Sequence, residues 1–510
     1  MSMGRFWAPA LLGLLALAPG AARAQATLPF AIEVGPAFTI DGLNGIQSYA
    51  CGSAKVGDGV KWLIVTGMCQ GIHGFSANKA DQPNNFPSKS GNPDLIVVDP
   101  AARKVWKYPL SKLSLGDSFN VAALSASNCA ATQVGDILYV VGGYGTDKGA
   151  RAPGDMVTFS TLTAINLPVA IQAIINGQAP DQALQQLTDP YFQVAGGGLA
   201  ALNGQFHLVF GQIFNGLYSP VNMSAELPFQ QQYLSRDFVF TVNTQPNLAY
   251  QSVANVSLAN ADGSSTVRRD FTLAPALFPG ATPAPVIGIY GGVFRAQGFG
   301  AYTNPIYISG LSKPAGCPPE PGITPGEDTS FEQLLSQYDC AALPLYDATG
   351  QDMYTIFFGG ISANSVDPAN GALKRDPVKL ANRGKKIIQD GVPYIQTISA
   401  TRRMANGASA GYILPPTMQG YLGAGARLWV DPTLPLSQNG VVLLEKLSCP
   451  TVVGYIFGGI QASGPYSTQS TQVPPTVASN QFIPVRVVPG NAQARPMPPA
   501  PTPVDVIIVD

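Results

Sequence analysis

The sequence predicts an all-β fold made of repeated four-stranded sheets. Three observations carry that expectation. A β-branched or aromatic run ending in glycine returns six times. Turn-forming residues sit at similar offsets before most of these runs. Gly (55) and Pro (45) are abundant while charged residues make up only 12% of 510 positions, which supplies many turns and few long helices.

The six runs are KWLIVTG (61–67), DILYVVGG (136–143), QFHLVFG (205–211), VIGIYGG (286–292), MYTIFFGG (353–360) and VGYIFGG (453–459). Their first glycines are Gly67, Gly142, Gly211, Gly291, Gly359 and Gly458, and they are aligned here as equivalent. Each run has strand length and strand composition. The glycine lets the backbone turn where a Cβ would clash. Upstream sit small-residue strands with turns, as in YACGSAKVGDGV (49–60), NCAATQVGD (128–136), VAGGGLAALNG (194–204) and DCAALPLYDATG (339–350). Their Gly, Asp and Asn are hairpin chemistry. Third strands follow at DLIVVDP (94–100) and DFVFTVN (237–243), and a fourth at KVWKYPL (104–110).

Residues 29–41 alternate as a strand does and are expected to pair with the last unit, 441–488, with VDVIIVD (504–510) as a rival for that place. Pro168 to Leu187 has apolar residues at helical spacing, broken at Asn176-Gly177, and predicts two short helices. Phe331–Tyr338 is a third helical candidate, and 365–390 reads as a polar excursion between strands.

A Gly-Gly closing a hydrophobic strand, followed by Asp-Pro and Trp as in DLIVVDPAARKVW (94–106), resembles the kelch repeat. The wider resemblance, over about residues 45–490, is to the kelch-like β-propellers that include galactose oxidase and sialic-acid mutarotases. It implies a six-bladed kelch-like β-propeller, with seven blades as the alternative, carrying short helical insertions. Galactose oxidase places two histidines and two tyrosines on copper. Here the only histidines, His73 and His207, fall in different repeats at unlike positions. The resemblance therefore comes without the copper ligands. The spacing from one first glycine to the next exceeds the ~50-residue kelch period, so the loops must be enlarged.

The N-terminus sets the expected compartment. Arg5 precedes an apolar stretch through Pro19, and Ala22 and Ala24 fit a signal-peptidase site. Residues 1–24 therefore read as a signal peptide, 25–490 as the propeller and 491–510 as a Pro-rich tail. A secreted or periplasmic protein follows, not membrane-spanning, because no later run reaches the length a bilayer needs. Net charge near −1 offers no basic field for nucleic acid. Cys51, Cys129 and Cys340 are placed at equivalent positions of inner strands. In an oxidising compartment Cys51–Cys69 is the first disulfide candidate and Cys317–Cys340 the second.

No metal and no cofactor is expected, since neither Cys-x-x-Cys nor His-x-x-x-His spacing occurs. Oxygen-rich loops such as GTDKGARAPGD (145–155) match no known calcium loop. In a propeller the loop after the second strand and the entry to the first share a face. That logic gathers Arg268, Arg269, Asp270, Arg295, Tyr144, Gln212, Asn215, Tyr338, Ser362, Asn364, Gln461 and His73 around one mouth. Arginine offers a fork for carboxylate or phosphate, and tyrosine and amides suit a sugar or peptide. The bland alternative is that Arg268-Arg269-Asp270 only ties blades together. The leading expectation is a binding protein for a carbohydrate or peptide. The alternatives are a sugar-acid mutarotase or epimerase, for which a deep, charge-lined axial pocket is expected, and a surface scaffold with no small ligand.

Overall fold

A computed structural model describes residues 25–73, 90–146, 148, 155–216, 230–258, 267–293, 300–309, 326–375, 377–382, 385–390, 392–466, 476–501 and 507–509. Residues 1–24, Arg295 and Cys317 lie outside these. The described residues are all-β with one α-helix.

Four antiparallel four-stranded sheets follow one another along the chain, and a nine-stranded sheet then supplies two further four-stranded antiparallel units, called here the fifth and sixth sheets. The first holds Ala50–Val56, Gly59–Val65, Asp94–Asp99 and Lys104–Pro109. The second holds Ala130–Val134, Ile137–Val141, Thr161–Asn166 and Leu184–Thr188. The third holds Gly198–Leu202, Gln205–Val209, Arg236–Asn243 and Ala249–Ser257. The fourth holds Thr272–Phe278, Ala284–Tyr290, Ile306–Ser309 and Gly326–Glu327. The fifth holds Ala342–Asp347, Asp352–Ile361, Tyr394–Met404 and Ser409–Thr417. The sixth takes Ala426–Val430, Thr451–Gly458 and Phe482–Pro496 from the chain's end, and its outer strand, Ala26–Val34, from the beginning. The long strand Phe482–Pro496 also meets the fifth sheet, at Tyr412 with Pro496 and Ile413 with Arg495.

Side-chain alternation explains why each sheet is covered on both faces. Leu63 and Val65 pack toward the second sheet, with Leu138 and Val140. Ile64 packs the other way, with Trp429, Phe457 and Phe482 of the sixth. Similar clusters lie between the second and third, third and fourth, fourth and fifth, and fifth and sixth sheets. Trp62 of the first sheet stacks on Trp429 of the sixth, with ring centroids 4.9 Å apart.

The glycine-ended strands link each sheet to the next. The N–H of Gly67 donates to Ala126 O, Gly143 to Val194 O, Gly211 to Arg268 O, Gly292 to Gln337 O and Gly360 to Leu422 O. Gly459 then donates to Ile46 O, beside the first sheet. This corrects the alignment on first glycines. Gly67 and Gly211 match the second glycine of the Gly-Gly units. Thr66 (φ 63) and Phe210 (φ 53) take the left-handed place filled elsewhere by Gly142, Gly291, Gly359 and Gly458.

Two element predictions change, and the rivalry for the last sheet's edge is resolved. Pro168–Leu187 holds one α-helix, Leu167–Ile175, capped by the Asn166 side chain and followed by Asn176 and Gly177 (φ 70), and beyond that break only a single 3-10 turn, Asp181–Ala183. Its second half becomes the outer strand Leu184–Thr188, because the edge of Thr161–Asn166 offers it a hydrogen-bond ladder. Phe331–Tyr338 is irregular. Gln333 and Gln337 spend their side-chain amides on local carbonyls, and Ser336 is left-handed (φ 58), which no helix accepts. The tail strand Ile507–Val509 pairs with Lys385–Asp390 of the excursion, while Ala26–Val34 takes the last sheet's edge as expected.

The Cys51–Cys69 disulfide does not form; both are free thiols. Cys51 sits near Trp429 and Arg427, whereas Cys69 sits near Asp94 and Lys107. Cys340 is likewise a free buried thiol, and its expected partner Cys317 lies outside the described residues. Cys51 is also two positions out of register with Cys129 and Cys340, because Tyr49 occupies the equivalent place.

Candidate functional site

The residue that opens each inner strand forms a second cycle of backbone hydrogen bonds. Ser48 N–H donates to Gly425 O (2.9 Å), Asn128 to Ser48 O (3.3 Å) and Gly196 to Asn128 O (2.9 Å). Asp270 donates to Gly196 O (2.8 Å), Asp339 to Asp270 O (2.7 Å) and Gly425 to Asp339 O (2.7 Å). Six residues, one per sheet, thus form a closed ring. Five are left-handed: Ser48, Asn128, Gly196, Asp270 and Gly425. Small, Asn or Asp residues fit, because only they and glycine visit this region readily. At Gly196 a Cβ would meet Asp270 Oδ1 at 2.7 Å.

Beside this ring lies a cavity of about 280 Å³, walled by inner strands of the second to sixth sheets. Its polar lining includes Ser48, Asn128, Asp270, Asp339 and Arg427. Asn128 Nδ2 donates to Asp270 Oδ1 at 2.8 Å, and Arg269 Nε stands 3.5 Å from Oδ2. Arg427 Nη1 donates to both oxygens of Asp339, at 3.0 and 2.8 Å. Burial pushes the Asp270 carboxyl up to about 6, against the pull of Arg269 and of hydrogen bonds from Tyr338 and Asn128. Burial raises Asp339 too, against the pull of Arg427. A carboxyl that titrates near neutrality next to a fixed guanidinium can hold a polar ligand and exchange a proton with it.

The expected mouth residues separate into several places. Arg269, Asp270, Gln212 and Tyr338 come together: Arg269 Nη1 donates to Gln212 Oε1 at 2.7 Å. Arg268 is fully buried instead. It donates to Gly291 O and Asn304 O, pairs with Glu327 at 3.2 Å and lies 4.4 Å over the Tyr302 ring. Tyr144 is buried and donates to Gly216 O, while Asn215 accepts from Thr158 N. Ser362 donates to Gln337, and Asn364 donates to Leu334 O and accepts from Arg375. Gln461 is half-buried in a short strand paired with Val477, and His73 is half-buried in a loop. His207, on the strand Gln205–Val209, is buried and bonds Asp237 at 2.8 Å.

Ser48, Asn128, Asp339 and Arg427 were not singled out from the sequence. A signal for two existed: NCAA at 128–131 and DCAA at 339–342 place Asn128 and Asp339 at one repeat position, which Asp270 of Arg268-Arg269-Asp270 shares. Nothing local marks Arg427, which meets Asp339 across 88 residues.

No protein-family model matches the chain, and no curated protein matches it. Among solved structures it is similar to one described as "Structure of YjhT", at 12% identity and a TM-score of 0.33. The match covers 67% of this chain and 83% of that one. A likeness at that level carries no argument about fold or function.

Proposed function

We propose that this protein is an exported, six-bladed, kelch-like β-propeller that binds a single carbohydrate unit at its axis. Support for the propeller comes from the two cycles of hydrogen bonds, each returning from the sixth sheet to the first, and from apolar clusters between every successive pair of sheets. Radial stacking of this kind covers both faces of every blade and leaves only short edges. Support for export rests on the residues 1–24 pattern.

The observation that carries the ligand reading is the polar axial cavity. At about 280 Å³ it lies just under the ~300–1,000 Å³ of pockets for drug-sized ligands, which suits one sugar rather than a folded peptide. Its donors and acceptors, Asn128, Asp270, Asp339 and Arg427, are held by one another and need little reordering on binding. Calorimetry of the full chain with neutral monosaccharides, sugar acids and short peptides tests this. Binding of a monosaccharide that weakens at least tenfold in Asn128→Ala supports it. A chain that binds no sugar is a scaffold.

A second reading is favoured by one further observation, the Asp270 carboxyl at about 6 in that cavity. A group of this kind is poised for general acid–base work on a sugar, as in mutarotation or epimerisation. Magnetisation-exchange NMR between anomers measures it. An exchange rate equal to that in buffer, for every sugar the protein binds, removes the enzyme reading and leaves binding alone.

A further inference from the structure

The lining of the axial cavity changes character along the inner strands. Its charged side chains, Asp270, Asp339 and Arg427, stand within two residues of the ring of strand-opening residues. Farther along the same strands the lining is apolar: Leu273 and Pro275 on the fourth sheet, Ala342 on the fifth, and Leu428 and Val430 on the sixth. These lie three or five residues beyond the ring position of their sheet, so at ~3.3 Å per strand residue the apolar zone runs from about 10 to about 17 Å past the ring. All of them but none of their buried neighbours Ala274, Ala341 and Trp429 keep part of their surface accessible. Thr272, between the two zones, spends its hydroxyl on Cys340 N–H at 3.1 Å. Gly440 lines the apolar end, and its loop is fastened there by Asn439 Nδ2 to Ala276 O at 2.9 Å and by the pairing of Val442 with Leu345.

We infer that the axial cavity takes a neutral glycoside with a short apolar aglycone, the sugar at the Asn128, Asp270, Asp339 and Arg427 end and the aglycone against Leu273, Ala342, Leu428 and Val430. This deepens the reading of the cavity as a sugar site and rests on it. A bare sugar satisfies the polar end and leaves the apolar wall facing water. A ligand that covers that wall gains in proportion to the apolar area it removes from water. The polar end itself suits a hydroxylated head over an anionic one. Two carboxyls line it against one guanidinium, and Arg427 already serves both oxygens of Asp339.

Calorimetry of the full chain with methyl and butyl glycosides of glucose, galactose and mannose, and with 1-butanol alone, tests the inference. A fully buried methylene is worth about fourfold in affinity. In at least one pair the butyl glycoside should therefore bind at least tenfold tighter than the methyl one, with a more negative heat-capacity change. Leu428→Asn, with Leu273→Thr as the second variant should the first fold poorly, should cut that butyl-to-methyl ratio at least fivefold. Asn128→Ala should weaken both members of the pair alike. Methyl glycosides that bind as tightly as their butyl partners would overturn the aglycone and leave the sugar site standing. Binding of 1-butanol as tight as that of the butyl glycosides, or no binding of any glycoside, would overturn the sugar site and the inference together. A butyl-to-methyl ratio unchanged in both leucine variants would overturn the assignment of the apolar wall.

Discussion

Asn128 on the second sheet donates through Nδ2 to Asp270 Oδ1 on the fourth, at 2.8 Å. Between them in the ring stands only the backbone of Gly196, whose carbonyl accepts from Asp270 N–H and whose N–H donates to Asn128 O. The contact spans 142 residues of sequence and ties three consecutive sheets together at one point. It also leaves a carboxyl buried where ionisation is disfavoured.

That carboxyl makes stability depend on pH. Asp270 moves from 3.8 to about 6 on folding, chiefly through burial. The native state then holds its proton more tightly than the unfolded chain. Its contribution is fully present below about pH 4 and is lost as pH rises through about 6. Two units correspond to roughly 3 kcal/mol at most. Urea unfolding at pH 4 and pH 7 should show that loss, less the opposing effect of other carboxyls, and Asp270→Asn should flatten it. A difference between the two pH values that is the same in both proteins would refute the assignment.

The strand-ending glycines should be the least replaceable residues of the fold. Gly291 has φ 68, and a Cβ there would stand 2.2 Å from Gln337 O. Gly291→Ala should cost about 3 kcal/mol or more, from strain and from a displaced sheet-to-sheet hydrogen bond. Gly57 has φ 60 but open space around it. Gly57→Ala should cost only about 1 kcal/mol. Equal costs in denaturant unfolding would mean the close approach is unimportant.

Arg268 and Arg269 should behave differently although they are neighbours. Arg268→Met removes a buried guanidinium that serves Gly291 O, Asn304 O and Glu327, and should destabilise by roughly 3–5 kcal/mol. Any loss of ligand binding should track loss of folded protein. Arg269 touches Asp270 and Gln212 beside the ring of six strand-opening residues. Arg269→Gln should shift the pH midpoint of ligand binding upward, because Asp270 loses the neighbour that favours its charged form.

Thiol labelling should divide the described cysteines by burial. Cys129 and Cys340 are buried, which pushes both thiols up to about 12, and they should resist a thiol reagent until the protein unfolds. Cys449 is exposed and should react at once. Slow labelling of Cys449, or fast labelling of Cys129, by mass spectrometry would contradict the packing described.

Much of the fold was legible in short stretches of chain. Gly57 and Asn203-Gly204 end strands because their own backbones accept left-handed angles. KWLIVTG and its relatives form strands because their side chains suit a pleated, doubly covered surface. The register of the repeats was less legible, since Thr66 and Phe210 adopt an angle their side chains disfavour and so hide the Gly-Gly pattern. The missed strand Leu184–Thr188 follows from the same limit: a helical apolar spacing lost to a neighbouring strand edge that only the folded chain provides.

The sequence by itself determined the all-β class and the recurrence of glycine-ended strands with hairpin turns, because each rests on local periodicity and turn chemistry. The tertiary structure alone decided which polar groups meet. Arg427 reaches Asp339, and Asn128 reaches Asp270, through bends and twists accumulated over many residues. Cys51, on the first strand of its sheet, likewise stays apart from Cys69, which follows the second strand. Contacts of this kind are set by where whole sheets pack, and no short window of sequence carries that information.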